Sequence, residues 1–102
     1  MGLDITHIKD HPGSAVFFLH DGSSRDEAVL VRLAEDVKKR TRKQVIVLSA
    51  LSEPGRAIVS FYALRGRRFA LVVRDDDQLY HVWTDQEVYD ASAIAYTAEQ
   101  AG

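Results

Sequence analysis

Two uninterrupted apolar runs, Ala15-Val16-Phe17-Phe18-Leu19 and Val45-Ile46-Val47-Leu48, flank a segment whose apolar residues repeat at helical spacing. Runs with no polar alternation form strands buried on both faces of a sheet, so the first of them is expected at the sheet centre. Between them Leu30, Leu33, Ala34 and Val37 fall on one helix face, and Arg32, Glu35, Lys38 and Lys39 turn outward. A strand, a helix and a second strand in that order make a right-handed crossover with parallel strands. Ser24 and Glu27 have the spacing of a capping box, and the cations from Lys38 to Lys43 suit the negative end of the helix dipole. The helix is therefore expected over roughly 24–40.

The remaining elements follow from turn and cap signals. Ser52-Glu53-Pro54 opens a second helix, with proline where its missing N–H costs nothing; Ala57, Ile58, Phe61 and Leu64 continue it until Gly66. Phe69 to Val73 is a third strand, Asp75-Asp76-Asp77 a turn, and Leu79 to Trp83 the antiparallel return, with Leu79, His81 and Trp83 facing opposite to Tyr80 and Val82. Thr84 and Glu87 form a second capping box, opening a helix that carries Val88, Ala91, Ile94 and Ala95 and ends near Gln100. From residue 15 the order is β-α-β-α-β-β-α, an α/β protein. Leu3 to Ile8 reads equally as a short edge strand or a helical turn.

Composition narrows the functional classes. A chain of 102 residues supports one domain, expected over 1–102, and 46% hydrophobic with 27% charged residues is ordinary for a folded globular protein. No apolar run approaches the roughly 20 residues of a membrane helix, and no leader-like segment opens the chain, so cytoplasmic residence is the expectation. The net charge of −2 gives no general attraction to nucleic acid or anionic lipid. The chain has no cysteine, which excludes disulfides, thiolate catalysis and thiolate-held metals.

Element order, length and two local stretches, Glu53 to Gly66 (EPGRAIVSFYALRG) and Phe69 to Trp83 (FALVVRDDDQLYHVW), resemble the thioredoxin superfamily over about residues 12 to 98. The resemblance implies a central mixed sheet of four or five strands flanked by helices, with a site at the N-terminus of the helix that follows Ala15 to Leu19. The family's Cys-x-x-Cys would map to Ser23-Ser24-Arg25-Asp26, to within one residue, and its cis-proline to the loop Gly66-Arg67-Arg68-Phe69, most simply to Arg68. Neither hallmark is present. A cis bond before a non-proline residue costs about 2.5–4 kcal/mol, so a trans bond is expected there.

Ser23, Ser24, Arg25 and Asp26, together with Arg67 and Arg68, are the candidate binding residues. Free helix N–H groups, hydroxyls and guanidinium groups would suit a phosphate or carboxylate. The plainer reading of the same residues is a self-satisfied cap, with Ser24 as N-cap and Asp26 and Glu27 paired to Arg25 or Arg68, since both carboxylates repel the anion that the arginines attract. No catalytic residues are assigned: Gly22-Ser23-Ser24-Arg25-Asp26 lacks the second glycine of a nucleophile elbow, and His81 is the only later histidine. His7, His11 and His20 with Asp10 and Asp21 lack metal-ligand spacing, and Asp75 to Asp77 lack the glycine and distal glutamate of a calcium loop, so no metal or cofactor is expected. The basic run Lys38 to Lys43 has no interleaved aromatics for stacking on nucleic acid. Phe61, Tyr62, Tyr80, Trp83, Tyr89 and Tyr96 are expected mostly in the core or on the hairpin face.

Thioredoxins hold an extended polypeptide beside the cis-proline loop. The resemblance thus implies a redox-inactive protein- or peptide-binding or assembly module, with Arg67 and Arg68 favouring acidic segments. Alternatives are a small-molecule anion site at the same locus and a structural subunit with no ligand, including a homodimer.

Overall fold

Strand β1 (Ala15–His20) pairs in parallel with β2 (Gln44–Ser49) through helix α1 (Ser24–Arg40), as a strand, a crossover helix and a second strand demand; β2, expected to be buried, lies at the edge of the sheet among the described residues, and four of its six residues are only partly buried. On the other side of β1 lies antiparallel β3 (Phe69–Val73), followed by antiparallel β4 (Leu79–Thr84), giving the sheet order β2-β1-β3-β4. Helix α2 (Glu53–Phe61), a 3₁₀ turn (Asp85–Tyr89) and helix α3 (Ala91–Gln100) complete the fold. The structure, a computed structural model, describes residues 8–102. Apart from Ile8, which lies in a turn, the Leu3 to Ile8 segment falls outside the described residues.

Alternation along β1 divides the core in two. Val16 and Phe18 join Leu30, Val37, Trp83 and Ile94 between the sheet and α1 with α3. Phe17 and Leu19 join Ile58, Phe69, Leu71 and Val73 on the α2 side. Every residue of β1 is buried, which is why the strand could dispense with polar alternation. No helix among the described residues is long and apolar enough to cross a membrane.

Four local expectations are corrected. The N-cap of α1 is Ser23, one residue before the expected Ser24, because Asp21 Oδ1 accepts from both the Ser23 N–H (2.9 Å) and hydroxyl (2.7 Å) and holds it extended. Helix α2 stops at Phe61 and does not reach Gly66: Ala63 turns left-handed at φ 53°, and the Leu64 N–H closes onto Val59 O at 2.9 Å. The last helix is split. Thr84 and Glu87 belong to the 3₁₀ turn, while Asp90 caps α3 by accepting from the Ala93 N–H at 3.1 Å.

The fourth correction concerns β4. Val72 lies opposite His81 but Val73 lies opposite Leu79, so Tyr80 is the extra residue of a bulge. Leu79 and Val82 consequently pack on the α2 side, whereas Trp83 packs on the α1 side with the His81 ring 4.4 Å from its own. The aromatics also differ from expectation: Phe61, Tyr80, Tyr89 and Tyr96 are exposed, and Trp83 alone of the six is buried.

Candidate functional site

The carboxyl end of β1, the α1 N-terminus and the loop before β3 meet at one end of the sheet. Ser23 Oγ accepts the Asp26 N–H (3.2 Å), and the buried Asp26 carboxylate reaches back to accept the Asp21 N–H at 2.7 Å. Asp26 Oδ1 also accepts from Arg68 Nε at 2.8 Å, and Arg68 Nη2 lies 3.4 Å from Asp21. Burial opposes the charge on Arg68, but the hydrogen bond and charge of Asp26 outweigh it and raise its pKa. The Asp21 carboxyl is held below the usual range, chiefly by the Ser23 hydroxyl and N–H, with Arg68 and Arg67 adding to it.

Of the six candidate residues, Ser23, Asp26, Arg67 and Arg68 converge, whereas Ser24 and Arg25 are exposed and enter no side-chain contact described for this end. The Arg68 guanidinium is mostly enclosed between two carboxylates. The Arg67 side chain, 77% exposed and 3.7 Å from Asp21, is the outward cation. The peptide bonds of the loop are trans, as among all described residues.

Asp85 holds this loop from the far side. Its Oδ1 accepts from the N–H of Arg67 at 2.8 Å and of Arg68 at 3.4 Å, and its own N–H donates to Arg68 O at 2.9 Å. These bonds, the Arg67 one foremost, keep the Asp85 carboxyl below its ordinary range. A carboxylate depressed in the folded state adds stability above its unfolded pKa of about 4 and loses it as pH falls further. Asp85→Asn is therefore expected to have a shallower acid limb than the parent chain when stability is followed by urea unfolding below about pH 4. Equal slopes would show that the carboxylate does not clamp the loop.

Between this loop, α2 and the end of β1 opens a cleft of about 310 Å³, lined by Asp21, Ala50, Leu51, Val59, Arg67 and Phe69, with Gly66 at its edge. Leu51 is 66% exposed yet abuts the Gly22 backbone closely enough that a Cβ on Gly22 would lie 2.7 Å from its Cδ1. Ala50, Leu51, Val59 and Phe69 make much of the lining apolar, and the exposed Arg67 guanidinium stands beside them with Asp21. Sequence reasoning missed Leu51, Val59, Asp21 and Asp85 as site residues. A bare leucine between a strand and an N-cap serine was the one available signal; the role of Asp85 depends on its φ of 53°, which nothing local announces.

No protein-family model matches the chain, and no curated protein matches it in sequence. Among solved structures it is similar to thioredoxin f2 of Chlamydomonas reinhardtii, with a TM-score of 0.61 over 90% of this chain and 82% of that one, at 10% identity. The mixed four-stranded sheet with its flanking helices and that structural match together establish a thioredoxin-like fold, built here without a single cysteine.

Proposed function

We propose that this protein is a redox-inactive binding module that takes a peptide segment of a partner protein into the cleft beside the 66–68 loop. The observation that carries it is the pairing of an apolar floor, Leu51, Val59 and Phe69, with the exposed guanidinium of Arg67 at the rim. Pockets lined by apolar side chains with a few placed polar groups are the usual form of a ligand site. The expected ligand is an acidic segment with a neighbouring apolar side chain.

The helix N-terminus is a weaker home for a free anion. Asp26 brings its own negative charge there and occupies Arg68, while the Ser23 and Asp26 N–H groups are already bonded within the turn. Without a thiol, dithiol exchange has no reacting atom.

Arg67→Ala is expected to weaken binding of an acidic, leucine-containing peptide about tenfold or more, as removal of a charge-assisted hydrogen bond does. Isothermal titration of both proteins measures it. Because the side chain is mostly in water, the fold should be unaffected, and unchanged affinity would rule out the cleft as the binding site.

A further inference from the structure

The cleft differs from an open strand-binding groove in two respects. First, the backbone donors of the loop are already bonded: Asp85 accepts from the N–H of Arg67 and of Arg68, and its own N–H donates to the Arg68 carbonyl. Strand addition gains its affinity from such main-chain bonds, and here neither of the two N–H donors is on offer. Second, the Leu51 side chain lies close against Gly22, on the side of the cleft nearer the α1 N-terminus.

What remains is a short apolar pocket beside one exposed guanidinium. At about 310 Å³ it sits at the small end of ligand pockets, enough for a side chain and its terminal group and short of an extended segment. The chemistry that fits is one apolar side chain with a carboxylate on the adjoining carbon. We infer that the cleft binds the C-terminal residue of a partner protein, its aliphatic side chain on Leu51, Val59 and Phe69 and its terminal carboxylate on Arg67. The guanidinium fork matches a carboxylate bidentately, and its present partner, Asp21, lies at 3.7 Å and is held by Ser23 and Arg68. This deepens the peptide-binding reading above and rests on it.

Three dye-labelled peptides test it by fluorescence polarisation: one ending in leucine with a free carboxylate, the same peptide as its C-terminal amide, and an amidated peptide with Leu-Glu in its interior. The free acid is expected to bind at least tenfold more tightly than the other two, with the difference lost in Arg67→Ala and the binding of all three weakened in Leu51→Ser. If the internal Leu-Glu peptide binds as well as the free acid, C-terminal recognition is overturned while the peptide-binding module stands. If amide and acid are equal, the carboxylate contact is overturned. If no peptide binds, both readings fall. Competition by 4-methylpentanoate at the same affinity as the peptide would replace the protein partner with a small carboxylic acid and overturn the inference in that form.

Discussion

Gly55→Ala is expected to destabilise the protein by about 3 kcal/mol, at the upper end of what overpacking costs. Gly55 sits in the first turn of α2, where its N–H donates to Ser52 Oγ at 3.1 Å and the Ser52 hydroxyl donates to Ser49 O at 2.6 Å. This chain of bonds draws the helix onto the end of β2. A Cβ at Gly55 would lie 1.8 Å from Ser49 O and 2.8 Å from its carbonyl carbon. Both are backbone atoms, so no rotamer change can relieve the clash; α2 must lift or β2 must bend.

Replacing glycine by alanine within a helix is otherwise favourable by about 1 kcal/mol, which the clash has to exceed. It does so because lifting α2 also withdraws Ile58, fully buried, from the α2-side core. Urea unfolding measures the effect, with Ser60→Ala on the exposed face of the same helix as the control. A loss below about 1 kcal/mol would mean that α2 slides freely over the sheet. The backbone of α2 carries Val59 and its leading loop carries Leu51, so peptide affinity should fall with stability.

The sheet was legible because burial on two faces leaves a mark on sequence that needs no tertiary context. Ala15 to Leu19 announces itself as the central strand and Val45 to Leu48 as its parallel neighbour, with Leu30, Ala34 and Val37 supplying the crossover helix between them; that the second run would lie at the sheet edge, only partly buried, its apolar residues do not reveal. Caps were harder to place to the residue. Ser23 and Ser24 have equal intrinsic merit, and only the Asp21 carboxylate, two residues upstream, selects the first. The facing of Leu79 could not be read at all, since a bulge at Tyr80 inverts the alternation without altering the residue pattern. The site shows the same division. That Arg68 and Asp26 would meet follows from the fold, whereas the Asp85 clamp and the approach of Leu51 to Gly22 depend on a left-handed residue and a side-chain packing that the pattern does not encode. The loop from Gly66 to Arg68 is therefore held by a bond network legible only in three dimensions.

Arg68→Met should cost about 3–5 kcal/mol, the range for stripping one partner from a buried ion pair. The pair joins elements 42 residues apart in sequence: Arg68 Nε donates to Asp26 Oδ1 at 2.8 Å, with side-chain exposures of 18% and 7%. Methionine preserves much of the aliphatic stem's packing, so the loss isolates the guanidinium, and what it leaves behind is a carboxylate in a site that water barely reaches. Asp26→Asn alone should be milder, because an amide oxygen can still accept the Asp21 N–H that Asp26 now holds at 2.7 Å. In the double variant the uncompensated charge is gone, and stability should recover to within about 2 kcal/mol of the parent. The cycle then gives a coupling near the upper end of the 0.5–3 kcal/mol found between contacting residues. A cost below about 1 kcal/mol for Arg68→Met would place the pair with solvent-screened surface bridges. Asp26 would then be a helix cap indifferent to the loop, and the rigid seat of Arg67 at the cleft rim would have to come from Asp85 alone.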